Sequence, residues 1–346
     1  MYKIKNKTIG GNVGMKKFKK LLAMSLVAAS MLTSLAACSS GTKDNAATTT
    51  TATTTATTSA APAEKKIVVG MTLYSLKNEF TVRLSNAAKK KAEELGVELK
   101  IYDGNYDPST QISQVETMIS DGVNAIILNP QDAKACAVAV DKAAAANIPV
   151  IGVNTRVDSE KLTSYVGSKD VYAGELEMQR IADKLGGKGN IVILDGPLGQ
   201  SAQLERSQGI NNVLAKYPDI KVLAEKTANW SRSEAMTVME NWLQAFDKID
   251  AVVGENDEMA LGARKAIEAK GMDIPTIGVD GITDALNAVE KGTLIASIFQ
   301  DGAGQGSKAL EIAVSAAKGS TVDKEYWIDF EPVTKDNVAE FKQRAQ

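Results

Sequence analysis

The 346-residue chain contains no histidine. That removes Ser-His-Asp and Cys-His catalysis, every His-ligated metal site and the usual proton shuttle near neutral pH. Two cysteines, Cys38 and Cys136, are too few for a disulfide scaffold or a zinc cluster. Aromatic side chains are scarce, with three Trp, eight Tyr and six Phe, so any that gather at one place carry information. A basic excess is missing as well: 40 Lys and Arg face 42 Asp and Glu, for a net charge of −2. Seven of those lysines precede residue 38 with no acid among them, which leaves the rest of the chain at −9. Phosphate backbones are held by clustered Lys and Arg, so this body is not built for nucleic acid. At ~150 residues per domain the length suggests about two domains.

Long apolar runs are missing too, with one exception. After Met15-Lys16-Lys17-Phe18-Lys19-Lys20 come apolar and small residues from Leu21 to Ala37, fewer than the ~20 that a spanning helix needs. A positive start and a small-residue end suit an export signal; a plain secretory signal or an anchor helix would read similarly. Leu35-Ala36-Ala37-Cys38 resembles a bacterial lipobox. That resemblance implies that residues 1–37 are a lipoprotein signal peptide and that Cys38 carries the lipid, with each buried acyl CH₂ worth ~0.8 kcal/mol. Met1 and Met15 compete as the true start. Residues 38–65 form a Thr/Ala-rich tract that cannot offset its ordering entropy, so it is expected to be a disordered tether. Such a coil spans roughly 28 Å root-mean-square. The body is therefore expected outside the cell, lipid-anchored to the outer face of the membrane or in a periplasm.

From Lys65 the texture changes. Apolar runs (Ile67–Thr72, Val97–Tyr102, Ala125–Leu128, Pro149–Val153) alternate with helical patterns over Glu79–Leu95, Ser109–Ser120 and Asp132–Ala146. The runs lack period-two alternation, as in strands covered on both faces of a parallel sheet. After Tyr165-Val166-Gly167 the pattern restarts. Strands are predicted at Asn190–Leu194, Lys221–Ala224, Ala251–Val253, Thr276–Val279 and Ile295–Ile298. Helices are predicted over Val171–Leu185, Ala202–Tyr217, Arg232–Phe246 and Glu258–Lys270. The fold class is α/β, two doubly wound parallel-sheet lobes. The expected division is 66–167 plus 301–328 for lobe one and 168–300 plus 329–346 for lobe two. The chain should cross near Gly167, Gln300 and Ile328, which makes a three-crossing hinge.

In such sheets ligands bind beyond the strand C-termini, so the residues there are the informative ones. Lobe one offers Tyr74-Ser75-Leu76-Lys77-Asn78-Glu79-Phe80 and Asn154-Thr155-Arg156. Lobe two offers Gln200 leading to Arg206, Asn229-Trp230, Glu255-Asn256-Asp257, Asp280-Gly281 and Gln300-Asp301. Hydroxyl-rich neutral ligands need this mixture of amides, carboxylates, guanidinium and aromatic rings, because each hydroxyl both donates and accepts. Each residue also has an ordinary structural reading. Asp257 suits a helix N-cap, Asn78 a cap, Asp280-Gly281 a turn and Trp230 a core position.

The opening Tyr-Ser-Leu-Lys-Asn-Glu-Phe resembles the ribose-type periplasmic binding proteins, substrate-capture subunits of bacterial carbohydrate ABC importers. So do Asn129-Pro130, Asn147-Ile148-Pro149-Val150, Asn256-Asp257-Glu258-Met259-Ala260-Leu261-Gly262-Ala263, Ile277–Gly281 and Ile298-Phe299-Gln300. The likeness spans about residues 66–346. It implies ligand contacts from Tyr74, Asn78 and Phe80, with Asn154 and Thr155 or Arg156 beside them, facing Arg206, Trp230, Asn256, Asp280 and Gln300. It also implies a monomer that delivers its ligand to membrane permease subunits, with no cofactor and no metal. No Walker A sequence is present, so the ATPase is another chain. Ribose binders carry Asp-Arg and paired Phe where this chain has Asn154-Thr155-Arg156 and Phe80-Thr81. The departure favours another monosaccharide or a cyclitol such as inositol. A ligand-presenting sensory role, for a sugar or autoinducer-2, shares the same features; an enzyme on this scaffold does not fit the missing histidines.

Three other motifs read as structural. Asp103-Gly104-Asn105-Tyr106-Asp107 opens like a calcium loop, but Pro108 stands where glycine is required and Gln114 where the bidentate glutamate belongs. Gly302–Gly306 is not a dinucleotide loop and reads as a hinge exit and helix start. Cys136 sits among apolar neighbours as a small buried hydrophobe.

Overall fold

Short β-branched runs with no polar face fold as strands buried on both sides. In the computed structural model, which describes residues 66–345, they alternate with helices along the whole body. The residues expected to form a signal peptide and tether, Cys38 among them, lie outside the described residues. The first unit comprises β1 (Val68–Leu73), α1 (Glu79–Leu95), β2 (Glu98–Asp103), α2 (Pro108–Ser120), β3 (Ala125–Asn129), α3 (Ala137–Ala145), β4 (Val150–Val153) and β5 (Ser164–Gly167). The second begins with α4 (Asp170–Leu185), β6 (Lys188–Asp195), α5 (Ser201–Leu214), β7 (Asp219–Thr227) and α6 (Arg232–Ala245). It continues with β8 (Ala251–Gly254), α7 (Asp257–Ala269), β9 (Thr276–Asp280), α8 (Thr283–Lys291) and β10 (Ala296–Phe299). Then α9 (Gly302–Ala317) and β11 (Glu325–Trp327) return to the first sheet, and β12 (Glu331–Val333) and α10 (Val338–Arg344) end in the second.

The sheets have the orders β11-β5-β4-β3-β1-β2 and β12-β10-β9-β8-β6-β7. All their pairings are parallel except β10–β12, a short antiparallel edge. Each order reverses direction beside its first strand, the switch point where α/β sheets take ligands. Helices cover both faces, and the central strands β3, β4, β8 and β9 are buried throughout.

Some boundaries differ from the sequence reading, for local reasons. The helix expected from Asp132 starts at Ala137, because Asp132 Oδ1 accepts from Lys134 N (2.9 Å) and Ala135 N (2.7 Å) and holds a turn instead. Cys136 is buried just ahead of that helix. Strand β7 is longer than Lys221–Ala224 because an edge strand carries polar residues without penalty. Asp107 caps α2 through Ser109 N and Thr110 N (3.1 and 3.0 Å), and Asp301 caps α9 through Gly304 N (2.8 Å). No helix among the described residues is long and apolar enough to cross a membrane.

Two glycines position the site. A Cβ on Gly174 of α4 would collide with the Arg206 carbonyl, so glycine there lets α4 and α5 approach and brings Asp170 to Arg206. A Cβ on Gly196 would overlap the Trp230 ring.

Candidate functional site

The C-terminal ends of the two sheets face one another across a cleft. Tyr74, Phe80, Asn154 and Thr155 line it from the first sheet, and Arg206, Trp230, Asn256, Asp280 and Gln300 from the second and the crossing after β10. Together they surround a narrow space of about 240 Å³ between protein atoms, and the lobes are drawn close around it.

Asp280 ends β9 in an unusual backbone conformation, φ +124°. Asn154 (φ +62°) and Trp230 (φ +57°), which line the same cavity, also have positive φ. Asn adopts the left-handed region readily, as exposed Asn105 and Asn147 do, but a Trp there and an Asp at +124° persist where the surroundings hold them, as in ligand clamps. Burial pushes the Asp280 carboxyl up to about 7, with Arg206 and Arg83 pulling the other way.

Arg206 is 3% exposed. Its Nε donates to Asp170 Oδ1 (2.9 Å), Nη2 to Gln300 Oε1 (3.2 Å) and Nη1 to the Glu255 carbonyl. Burial alone would lower the guanidinium's pKa; Asp170, Asp280, Glu177 and Glu255 outweigh it and keep the group cationic. Burial also raises Asp170, and Arg206 restores only part of that. The short Nε contact makes the two an ion pair. With Arg206 occupying its Oε1, Gln300 is left with a buried Nε2 that has no protein partner, a donor for whatever enters.

Other residues divide their groups between protein and cavity. Asn256 caps α7, accepting from Met259 N (2.9 Å), and Asp257 is the first helical residue. The cap is therefore Asn256, not Asp257; the Asp257 carboxylate turns inward to Ser297 Oγ (2.8 Å) and Ile282 N (3.0 Å). Trp230 Nε1 donates to Gln200 Oε1 (2.6 Å), which fixes the indole. The Thr155 hydroxyl donates to the Pro130 carbonyl (2.8 Å) and accepts from Asn129 Nδ2 (2.8 Å), so it is spent on the loop.

Two expected contacts are not brought into the cavity. Arg156 turns away to stack on Tyr165 (4.3 Å) and to pair with Glu325 (2.9 Å) on β11, whose place beside β5 the sequence did not reveal. Asn78 lies in a wider groove at the cleft mouth. Conversely, Ala202 lines the cavity without a sequence signal, and Gln200, read only as a strand-end residue, also lines it while orienting Trp230, a role nothing local marks. Among the described residues no cluster of three His, Cys, Asp or Glu is arranged to hold a metal ion.

Hydrogen bonds close the cleft on both rims. Glu79 Oε1 on α1 accepts from Thr283 N (2.9 Å) and Thr283 Oγ1 (2.7 Å), and Arg83 donates to the Gly281 carbonyl (3.3 Å). On the other rim Ala133 N donates to the Gly199 carbonyl (3.2 Å) and Gln200 Nε2 to the Pro130 carbonyl (3.3 Å). The Glu79 bonds exist only with the lobes together. Glu79→Ala is therefore expected to weaken ligand affinity about threefold to tenfold, chiefly through faster dissociation, with the ligand-free melting temperature nearly unchanged. Stopped-flow dissociation and calorimetry check this.

Two similar α/β lobes with a cavity at facing switch points define a solute-binding architecture. The chain belongs to the periplasmic binding protein family: residues 69–321 match the family described as periplasmic binding protein domain. It is 43% identical over 272 residues to the xylitol-binding protein of Mycolicibacterium smegmatis, covering 78% of each chain. It is 37% identical to the ribose import binding protein RbsB of Bacillus subtilis, covering 75% of this chain and 85% of that one. Among solved structures, an ABC transporter solute-binding protein from Bacillus halodurans with bound myo-inositol superposes with a TM-score of 0.78 at 38% identity. That match covers 81% of this chain and 98% of the other.

Proposed function

We propose that this chain captures a neutral monosaccharide or cyclitol outside the cell and delivers it to the permease of an ABC importer. One observation carries the reading. The buried Asp280 carboxylate faces the cavity opposite Arg206 and the unpartnered Gln300 amide, with the Trp230 ring beside them. A hydroxylated ring offers what each lacks: donors for Asp280, acceptors for Gln300 and C–H faces for the indole. Arg206 is already paired with Asp170, so an anionic ligand would find no free counter-charge there. Support comes also from the relatives, named for xylitol and ribose, and from the myo-inositol bound in the solved neighbour.

In this reading residues 66–167 with 301–328 and 168–300 with 329–346 move as two bodies about the three crossings, and ligand shifts them from open to closed. Residues 1–37 are removed, Cys38 carries the lipid and 38–65 tether a monomer to the membrane. The chain binds and does not catalyse.

The test is a thermal-shift screen of the purified chain against ribose, xylitol, myo-inositol, allose, common hexoses and autoinducer-2. A ligand at 1,000 times its Kd adds ~4 kcal/mol, so hits are unmistakable. Stabilisation by amino acids, phosphates or peptides in place of these polyols would overturn the reading. Affinity should also depend on pH. Donating hydroxyls favour the ionised Asp280, whose carboxyl sits at about 7 without ligand. Binding therefore releases a proton below that value, and calorimetry should show affinity falling as pH drops from 8 to 5.

A further inference from the structure

In the carbohydrate reading the interlobe cavity takes one ring, but a much wider groove opens beside it along the cleft mouth, with about 1320 Å³ between protein atoms against about 240 Å³ inside. Trp230 is the wall between them and lines both. On the lobe-one rim stand Asn78, Tyr106 and Gln131; the opposite rim is the turn Asn229–Glu234 ahead of and into α6. Two buried polar atoms on the first rim have no protein partner, Asn78 Nδ2 and Gln131 Oε1. Asn78 is 7% exposed, and its Oδ1 is already taken by the Tyr106 hydroxyl (2.7 Å), so only the donor is free. Its side chain does not cap α1 either. Buried donors and acceptors are normally paired, so an open pair at one rim marks a place where a ligand completes the set.

The surroundings repeat the chemistry of the inner cavity. The half-buried Tyr106 ring packs on Tyr74 at 5.8 Å and presents an aromatic face next to the free amide groups. Of the ionic groups along the groove, Arg232 is paired with Glu258 (2.6 Å) and Asp284 (2.8 Å) and Glu234 accepts from Asn229 Nδ2 (2.7 Å), while Lys77, bonded to the neutral Asn105 Oδ1 (2.7 Å), and Lys265 keep their charges. The donor, the acceptor and the aromatic face beside them are themselves uncharged, which suits a neutral hydroxylated ring.

We propose that this groove is an outer subsite for a second sugar ring, so that the chain accepts a neutral disaccharide or glycoside whose inner ring occupies the interlobe cavity. The inference rests on the carbohydrate reading of that cavity and extends it outward past Trp230.

Calorimetry on the full chain with three pairs tests it: myo-inositol and galactosyl-myo-inositol, xylitol and xylosyl-xylitol, D-ribose and ribosyl-ribose. In at least one pair the glycosylated member binds as tightly as the simple one or more tightly. Gln131→Ala then weakens the glycosylated member about fivefold to tenfold and leaves the simple one within twofold. The Gln131 backbone N–H, bonded to Gln111 Oε1 (2.8 Å), keeps the loop in place. Ser233→Trp, which fills the groove from an exposed position, has the same selective effect without removing a buried polar atom. Binding of simple members alone would overturn the outer subsite, as would equal weakening of both members by the two variants. Silence from all six compounds is a different result: with a hit among the other sugars of the wider screen it would overturn the subsite alone, and with no hit there it would overturn the carbohydrate reading as well.

Discussion

Asp280→Gly is expected to raise the melting temperature of the ligand-free protein and to weaken ligand binding at least ~100-fold, about 2.7 kcal/mol. Both effects come from one backbone angle and one carboxylate. At φ +124° a side chain is strained, typically by about 1–3 kcal/mol. Glycine removes that strain, at ~1 kcal/mol of unfolded-chain entropy. The substitution also removes a carboxyl whose ionisation burial opposes. Binding loses the acceptor for two hydroxyls, each hydrogen bond to a charged group contributing ~1.5–3 kcal/mol. Asp280→Asn separates the causes: it keeps the strained angle and loses the charge, so affinity falls while the melting temperature gains less than in the glycine variant. If Asp280 were only a turn residue, the glycine variant would bind as tightly as wild type. Differential scanning fluorimetry and calorimetry on the two variants decide.

Arg206→Ala is expected to cost about 3–5 kcal/mol of folding stability as well as binding, because it strands a buried charge. Asp170 is 2% exposed and its ion pair is Arg206 at 2.9 Å. Glu177, buried with both oxygens unpartnered and its carboxyl well above the ordinary range, also leans on that cation. Lysine at 206 should recover little, since one ammonium cannot reach Asp170, the Glu255 carbonyl and Gln300 from a planar fork. Adding Asp170→Asn to Arg206→Ala should restore part of the stability but none of the affinity. Urea unfolding measures the first and calorimetry the second. An Arg206→Ala protein with wild-type stability would show that the carboxylates do not depend on it.

Much of this architecture was legible because buried parallel strands have a simple signature. The runs read as Ile67–Thr72, Pro149–Val153 and Thr276–Val279 show no polar face, and the residues just past a strand's C-terminus in a doubly wound sheet face the cleft. That rule places Tyr74, Asn154 and Asp280 at one cavity from sequence alone. It cannot say where a long side chain goes. Arg156 lies almost as near the end of its strand as Asn154 does, yet its guanidinium finds an aromatic face on Tyr165 and an acid on β11, a strand more than 160 residues later. Thr155 occupies a strand end but spends its hydroxyl on the loop around Pro130. The partners that organise the site, Asp170 for Arg206 and Gln200 for Trp230, are tertiary facts with no local periodicity to reveal them. The short edges β11 and β12 escape for the same reason: three residues are too few to show a pattern.

The proposed function of the cleft depends on a neutral hydroxylated ring lying between the lobes against Asp280 and Arg206. The measurement that tests this most directly is a crystal structure of the protein grown with the polyol that stabilises it most. The prediction is a single ring in the interlobe cavity, with two hydroxyls within hydrogen-bonding distance of the Asp280 carboxylate, one reached by Gln300 Nε2, and the Trp230 indole against a C–H face. A ligand bound elsewhere, or one in the cavity that leaves Asp280 without a hydroxyl partner, would contradict it.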